Sequence, residues 1–296
     1  MADTITNSTS KRLAVVTGAN KGIGFEICRQ LASNGIAVVL TARDEKRGIE
    51  AVEKLNGSGL SDVVFHQMDV KDPASIASLA HFINTQFGKL DILVNNAGIT
   101  GVKLNDNEFD TLMAVDSPEA RLAKLIELVG LITHETAEEC IQVNYYGTKR
   151  VTEALLPILQ LSHSPRIVNV SSTMGRLQYV PAKWAKEVLG DVDALTEEKV
   201  DVVLKEYLND FKENQGSSAY SMSKAAVNAY TRIVAKKFPT FRINCVCPGY
   251  VKTDINFNTG HCTVEEGAAA PVKLALLLDD APSGLFFFQK EVSTFD

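Results

Sequence analysis

Seven short apolar runs, separated by longer segments of helical period, limit what this chain can become. They span residues 13–17, 37–41, 63–67, 90–95, 166–171, 241–247 and 285–288. Each is apolar almost without interruption. That is the pattern of a strand covered by helices on both faces of a parallel sheet, not of one with a wet side. Strand–helix–strand units of this kind close with right-handed crossovers. The expectation is an α/β fold on a doubly wound parallel sheet of seven strands. No repeat, linker or low-complexity block interrupts the series. Residues 11–296 therefore read as one domain, with residues 1–10 as a flexible tail.

Two stretches, about 100–135 and 175–216, exceed what the crossovers need. In the second, Val200, Val203, Leu204, Tyr207, Leu208 and Phe211 recur at the spacing of an amphipathic helix. Thr196, followed by Glu197 and Glu198, supplies its start. Ordered insertions of this length are ordinarily lids or binding loops, with a neutral surface extension as the alternative.

The first run leads directly into Thr17-Gly18-Ala19-Asn20-Lys21-Gly22-Ile23-Gly24 and then an apolar helix. Glycines there let backbone N–H groups and a helix N-terminus approach a pyrophosphate without interference from Cβ atoms. Three of them between a strand and a helix mark a Rossmann-type dinucleotide turn. An NAD site would place a carboxylate at the end of the second strand to hold ribose hydroxyls. Here that strand ends neutral and Arg43 follows, with Arg47 one helical turn further and Lys21 in the glycine turn. Three cations converging on the 2′ position suit a phosphate. Asp44 reads as a helix N-cap, so NADP(H) is expected over NAD(H). Asp69 closes the third strand, placed for the adenine amino group. Asn95-Asn96-Ala97-Gly98 closes the fourth. Its small residues let the chain pass close to a cofactor, and its asparagines can tie neighbouring strand ends together.

Tyr220 and Lys224 stand four apart in AYSMSKAAVNAY, one turn apart on one helical face. A free tyrosine titrates near ~10. A neighbouring lysine cation and an oxidised nicotinamide would lower that value, so that Tyr220 donates a proton to a carbonyl as hydride arrives. IVNVSS ends the fifth strand, and its second serine, Ser172, would aim at the substrate oxygen. Ser171 competes, because adjacent strand residues face opposite ways. Asn144, in CIQVNYYGTK, is placed to hold a water bonded to Lys224, an ordinary helix-surface amide being the plain alternative.

Composition excludes other classes. A net charge of −6 gives no electrostatic footprint for nucleic acid. No window approaches the ~18 consecutive apolar residues of a membrane span. The opening MADTITNSTSKR has no apolar core, so a cytoplasmic protein is expected and Asn7-Ser8-Thr9 is a chance glycosylation match. The five scattered cysteines suggest no disulfide framework. Cys245 and Cys247 share a strand face and could hold a metal with His261, but buried free cysteine ordinarily acts as a small hydrophobe, and no metal is expected.

Together these residues resemble the short-chain dehydrogenase/reductase family across essentially the whole chain. The matching motifs are TGANKGIG (17–24), Asp69, NNAG (95–98), Asn144, Ser172, Tyr220 with Lys224, and CPGYVKT (247–253). The resemblance implies a catalytic tetrad of Asn144, Ser172, Tyr220 and Lys224. It implies cofactor contacts from Gly18, Asn20, Lys21, Gly22, Ile23, Gly24, Arg43, Arg47, Asp69, Val70, Asn95, Ala97, Gly98, Tyr220 and Lys224. Pro248, Gly249, Val251 and Thr253 would flank the nicotinamide, with Thr253 at its carboxamide.

One departure narrows the resemblance. Compact members separate the serine and tyrosine by about a dozen residues, whereas Ser172 and Tyr220 are 48 apart. That insertion, with LTARDEKRG and HQMDVKDPASI, is similar to the plant branch of monomeric carbonyl reductases containing salutaridine and menthone/neomenthol reductases. In that branch the extra helix covers the face through which ordinary members tetramerise, which implies a monomer. An offshoot that reduces C=C bonds carries glutamate at the tyrosine position, so Tyr220 implies carbonyl chemistry. The expected reaction is NADPH-dependent reduction of a cyclic, mostly apolar ketone, such as a terpenoid or alkaloid, to a secondary alcohol. Its pocket would use Ile99, Met174, Tyr179, Trp184 and residues 250–260 under the first insertion. The rivals are a broad-specificity carbonyl- and quinone-clearing reductase and a non-catalytic NADP(H)-binding protein.

Overall fold

The structure, a computed structural model, describes residues 11–296 other than 116, 118–119, 122, 125–131 and 212–217. The expected tail, 1–10, lies outside the described residues. Strands β1 (Leu13–Val16), β2 (Ala37–Ala42), β3 (Val63–Gln67), β4 (Ile92–Asn95), β5 (Arg166–Val170), β6 (Arg242–Cys247), β7 (Phe286–Phe288) and β8 (Glu291–Ser293) form one sheet. Its order is β3-β2-β1-β4-β5-β6-β7-β8. The order reverses between β1 and β4, and the crevice beyond the carboxyl ends of those strands is where such sheets bind ligands.

The expected seven strands become eight. The addition, β8, pairs antiparallel with β7, Phe286 opposite Ser293, through a turn in which Gln289 has φ 52°. It escapes a search for doubly buried runs because an edge strand has no second covered face. Glu291 and Val292 are exposed.

The inner strands do have two covered faces. Leu13 and Val15 of β1 point into one core, Ala14 and Val16 into the other, and β4 splits in the same way between Leu93 and the pair Ile92 and Val94. Helices α1 (Gly22–Ser33), α2 (Glu45–Gly57) and α10 (Val264–Ala275) cover one side. The other side takes α3 (Pro73–Phe87), α5 (His134–Ile141), α6 (Thr148–Leu159) and α9 (Ala219–Lys237).

The first insertion carries α4 (Asp106–Met113), entered through a capping box of Asn105 and Glu108. The second carries two helices, α7 (Lys183–Gly190) and α8 (Glu197–Asp210), where one was anticipated. Thr196 caps α8 by accepting the Lys199 N–H. Val200, Val203, Leu204, Tyr207 and Phe211 bury its apolar stripe in the core over α5 and α9. Lys149 on α6 holds the polar side of α8 through Glu197 at 3.1 Å and Asp201 at 3.3 Å.

Candidate active site

The crevice wall at β1 and β4 is built from main chain. Gly18 (φ 62°) and Gly22 (φ 57°) are left-handed, a conformation that side chains resist. A Cβ on Gly18 would lie 2.9 Å from the Ala97 Cα, and one on Gly24 would lie 2.4 Å from the Asn96 Nδ2. The two turns are stapled together. The Thr17 hydroxyl accepts the N–H groups of Asn96 and Ala97, and Asn96 Nδ2 donates to the carbonyls of Thr17 and Gly18. Lys21 sits at the N-cap of α1 without a side-chain cap bond, so the amides of that turn stay free for an anion. Asn20, Gly22 and Ile23 remain partly exposed at the mouth.

Asn95 has a different task beneath this wall. Its buried Nδ2 donates to Thr152 Oγ1 and Asn169 Oδ1, and Asn169 continues to Thr231, tying β4 and β5 to α6 and α9. Asp69 accepts the Lys71 N–H and keeps its carboxylate half-buried at the end of β3. Val70 fills the space a Cβ on Gly147 would need, 2.8 Å away.

The structure does not bring the three cations together. Lys21 Nζ bonds Asp254 at 2.6 Å across the crevice mouth, and Arg47 leans on Asp44 at 3.6 Å. Asp44 is the N-cap of α2, accepting the Arg47 N–H. Arg43 stands exposed at the end of β2, its carbonyl held by Gln67.

Tyr220 and Lys224 lie in the first turns of α9, whose N-cap is Ser218. Lys224 Nζ is buried, donates to the Val170 carbonyl at 2.8 Å and stands 5.7 Å from the Tyr220 ring centre. Strand alternation resolves the two serines. Ser171 Oγ turns inward to Asn228 Oδ1 at 2.6 Å, whereas Ser172 lies on the Tyr220 side, its hydroxyl accepting the Met174 N–H. Burial raises the pKa of the Tyr220 phenol above the usual tyrosine range, against a smaller pull downward from Ser172. Burial also lowers Lys224 to about 8. Desolvation therefore outweighs the lowering of Tyr220 expected from the lysine cation.

Asn144 sits in a π-turn, Gln142–Gly147, that interrupts the helix and turns its side chain inward. It is 1% exposed, which rules out a surface amide. Its Oδ1 accepts the Ile99 N–H at 2.8 Å, and its Nδ2 donates to the Ile99 carbonyl and to Ser223 Oγ, both at 2.9 Å. A Cβ on Gly98 would stand 3.3 Å from Asn144 Oδ1 and 3.4 Å from Lys224 Nζ, so both side chains close in on the Gly98 backbone. Ser223 and Cys140, which hold Asn144, were not legible in advance. The only signal for Ser223 is its place three residues after Tyr220, whose carbonyl it bonds.

A glycine turn facing this tyrosine–lysine–serine–asparagine group is matched by known proteins. The chain matches the short chain dehydrogenase family over residues 12–117 and 207–261. It belongs to that family. It is 58% identical to a (+)-neomenthol dehydrogenase of Arabidopsis thaliana, covering 96% of this chain and 98% of the relative. It is 54% identical to a salutaridine reductase of Papaver bracteatum over the whole of both chains. The solved structure of salutaridine reductase from Papaver somniferum superposes with TM-score 0.87, at 54% identity over 94% of this chain and 99% of that one.

In this short-chain dehydrogenase the segment after β6 closes the crevice from above. Pro248 leads into Gly249 (φ 94°), where a Cβ would meet Gln289 Nε2 at 2.8 Å. Val251 is buried against Gly267, and Thr253 faces Gly22 across the crevice, 3.5 Å from where its Cβ would stand. The first insertion docks onto this segment. The Phe109 and Phe257 rings are 6.3 Å apart, and Arg121 bonds the Phe257 and Val115 carbonyls. Lys21, Met113, Asp254 and Asn258 line, with those two rings, a cavity of about 310 Å³. Ile99 is half-buried beside Asn144, while Met174, Tyr179 and Trp184 are 39%, 46% and 39% exposed. All five cysteines are free and buried, Cys245 and Cys247 packing with Phe286 and Phe295.

Proposed function

We propose that this chain reduces a cyclic, largely apolar ketone of the terpenoid or alkaloid kind to a secondary alcohol, with NADPH as reductant and Tyr220 as proton donor. The observation that carries the reading is the grouping at Tyr220: a phenol beside Ser172, with the Lys224 ammonium one helical turn away and 5.7 Å from its ring centre. A phenol in that setting is a general acid for a carbonyl oxygen. Ser172 is placed to donate to the same oxygen and orient it. Lys224 and Asn144 meet beside Gly98, and a water bonded to both would return a proton to Tyr220.

The residues present fit a dinucleotide phosphate. Left-handed glycines and the free amides of α1 suit the pyrophosphate, and Asp44, the one carboxylate beside Arg43, is occupied as a helix cap. NADPH, when bound, supplies the hydride. Arg43 would grip its 2′-phosphate, with Arg47 and Lys21 joining by exchanging their exposed carboxylate partners. Asp69 and Val70 would border adenine, Ala97 and Gly98 the ribose side, and Pro248, Gly249, Val251 and Thr253 the nicotinamide. Ile99, Met174, Tyr179 and Trp184 would meet the ketone.

Relatives named for neomenthol and salutaridine support this substrate class, and a mouse relative named carbonyl reductase [NADPH] 3, 39% identical, supports the cofactor. That mouse relative and the exposed aromatics at the rim favour, as a second reading, a broad-specificity reductase of ketones and quinones. The complete Tyr220–Lys224–Ser172–Asn144 group argues against a silent NADP(H)-binding protein. Packing of α8 over α5 and α9 supports a monomer, testable by light scattering against 32.2 kDa. No helix of the described residues is long and apolar enough to cross a membrane, and we place the protein in the cytoplasm.

The deciding experiment monitors NADPH oxidation over a panel of cyclic and open-chain ketones and quinones, with chiral analysis of products. Turnover confined to bulky cyclic ketones supports the first reading, and turnover spread over the panel the second. Turnover that survives Tyr220→Phe overturns both.

A further inference from the structure

Beyond the crevice, residues 291–296 run from the sheet edge back across the loop that carries Ser172. β8 is short and largely exposed, yet its last residue and the chain beyond it are tied down. The Phe295 carbonyl accepts the Leu177 N–H at 2.8 Å, and Ser293 Oγ bonds the Arg176 guanidinium at 2.7 Å. Arg176 also lies over the Phe286 ring of β7, 5.7 Å from its centre. Loop 173–180 is thus anchored from outside at Arg176 and Leu177, between Met174 and Tyr179 on the ketone rim.

The Phe295 ring packs 5.9 Å from Phe286 against Cys245 and Cys247 of β6, and the Arg232 guanidinium stands 4.6 Å from its centre. Arg232 is buried in α9, the helix of Tyr220 and Lys224, and bonds the Leu189 carbonyl at the end of α7. α7 carries Trp184. One residue therefore joins the sheet, the catalytic helix, the Ser172 loop and the rim helix: the Phe295 carbonyl holds the loop, and the Phe295 ring meets the sheet and, through Arg232, the two helices. It does so through a guanidinium whose burial lowers its pKa and makes its few partners matter.

We propose that Phe295, with Ser293, is a positioning residue for the ketone side of the site. The strap 291–296 sets where the Ser172–Tyr179 loop and Trp184 stand relative to Tyr220, and so determines which ketones fit. Its contacts with Arg176, Leu177, Phe286 and Arg232 lie away from the glycine turn, so its main influence should fall on the ketone. The proposal rests on the ketone-reductase reading above.

The test compares Phe295→Ala, the conservative Phe295→Tyr and wild type. The readouts are steady-state kinetics, NADPH binding, and acrylamide quenching of Trp184, the chain's single tryptophan. Phe295→Ala should lower kcat/KM for the ketone by roughly tenfold or more, mainly through KM, since small misplacements near the reacting group are costly. NADPH affinity should hold, Trp184 should become more quenchable, and Phe295→Tyr should restore both properties. Wild-type kcat/KM and quenching in Phe295→Ala would overturn the proposal. So would parallel losses of ketone and NADPH affinity, which mean general loosening. If Phe295→Ala does not fold, Ser293→Ala, which removes only the acceptor for Arg176, carries the same readouts. Failure of wild type to reduce any ketone would sink the functional reading, while the Trp184 measurement would still decide the strap.

Discussion

On the β1–β4 side the crevice is walled by main chain, with Gly18 and Gly24 at points where even a methyl group meets atoms at 2.4–2.9 Å. On the β5 side, the proposed ketone wall is made of side chains, Met174, Tyr179 and Trp184, each more than a third exposed. The first wall presents amides, which every dinucleotide pyrophosphate can use alike. The second presents surfaces that differ with each substitution. On the proposed reading, one fold separates an unchanging reductant from a variable ketone: backbone where the ligand is invariant, side chains where it is selected.

Tyr220 stands between the two walls, and its loss should have the largest effect. Tyr220→Phe is expected to lower kcat by about 10²-fold or more while NADPH binding persists, measured by single-turnover kinetics and cofactor titration. Loss of NADPH binding in that variant would place Tyr220 on the cofactor wall instead. Next comes Gly24→Ala, whose Cβ would also stand 2.7 Å from the Gly18 carbonyl. It should lower stability by ~1–3 kcal/mol and weaken NADPH binding, read by thermal melts with and without cofactor. A wild-type melt would break the contrast.

Tyr179→Ala on the other wall should shift stability by less than ~0.5 kcal/mol, yet change KM for the ketone several-fold. An altered Kd for NADPH would count against the division. The pH profile tests the shared centre. With Lys224 held down to about 8 by burial, its positive charge is present below that pH and lost above it. Tyr220, raised by burial, stays protonated through the same range. Ketone reduction should therefore decline above pH about 8, and Lys224→Arg should remove that limb. The smallest expected effect belongs to Lys21→Ala. Its pair with Asp254 is more than half exposed on both sides, so the stability change should stay within ~0–1 kcal/mol. Affinity for NADPH should still fall more than affinity for NADH, and an equal fall would remove Lys21 from the 2′-phosphate.

Much of this site was readable along the chain, for reasons visible in particular residues. The strands of the inner sheet announce themselves because neighbours such as Val15 and Val16, or Leu93 and Val94, face opposite cores and must both be apolar. The glycine turn is legible because each glycine answers a local steric demand. Asp44 and Thr196 could be assigned as caps because capping is decided within four residues. The unreadable parts depend on partners distant in sequence. β8 exists by pairing with β7, Lys21 meets Asp254 across 233 positions, and α7 joins the rim through Arg232.

The division falls between chemistry that is local and chemistry that is relational. Residue type and spacing alone specify a doubly wound sheet, a dinucleotide turn and a tyrosine one helical turn from a lysine, because backbone sterics and helical period act over a few residues. Only the packed chain selects Ser172 over Ser171, buries Asn144 in a π-turn and directs the Phe295 strap beneath the Ser172 loop. It also adds an upward pull on Tyr220, because desolvation comes from everything packed around the phenol and no neighbour in the chain reports it.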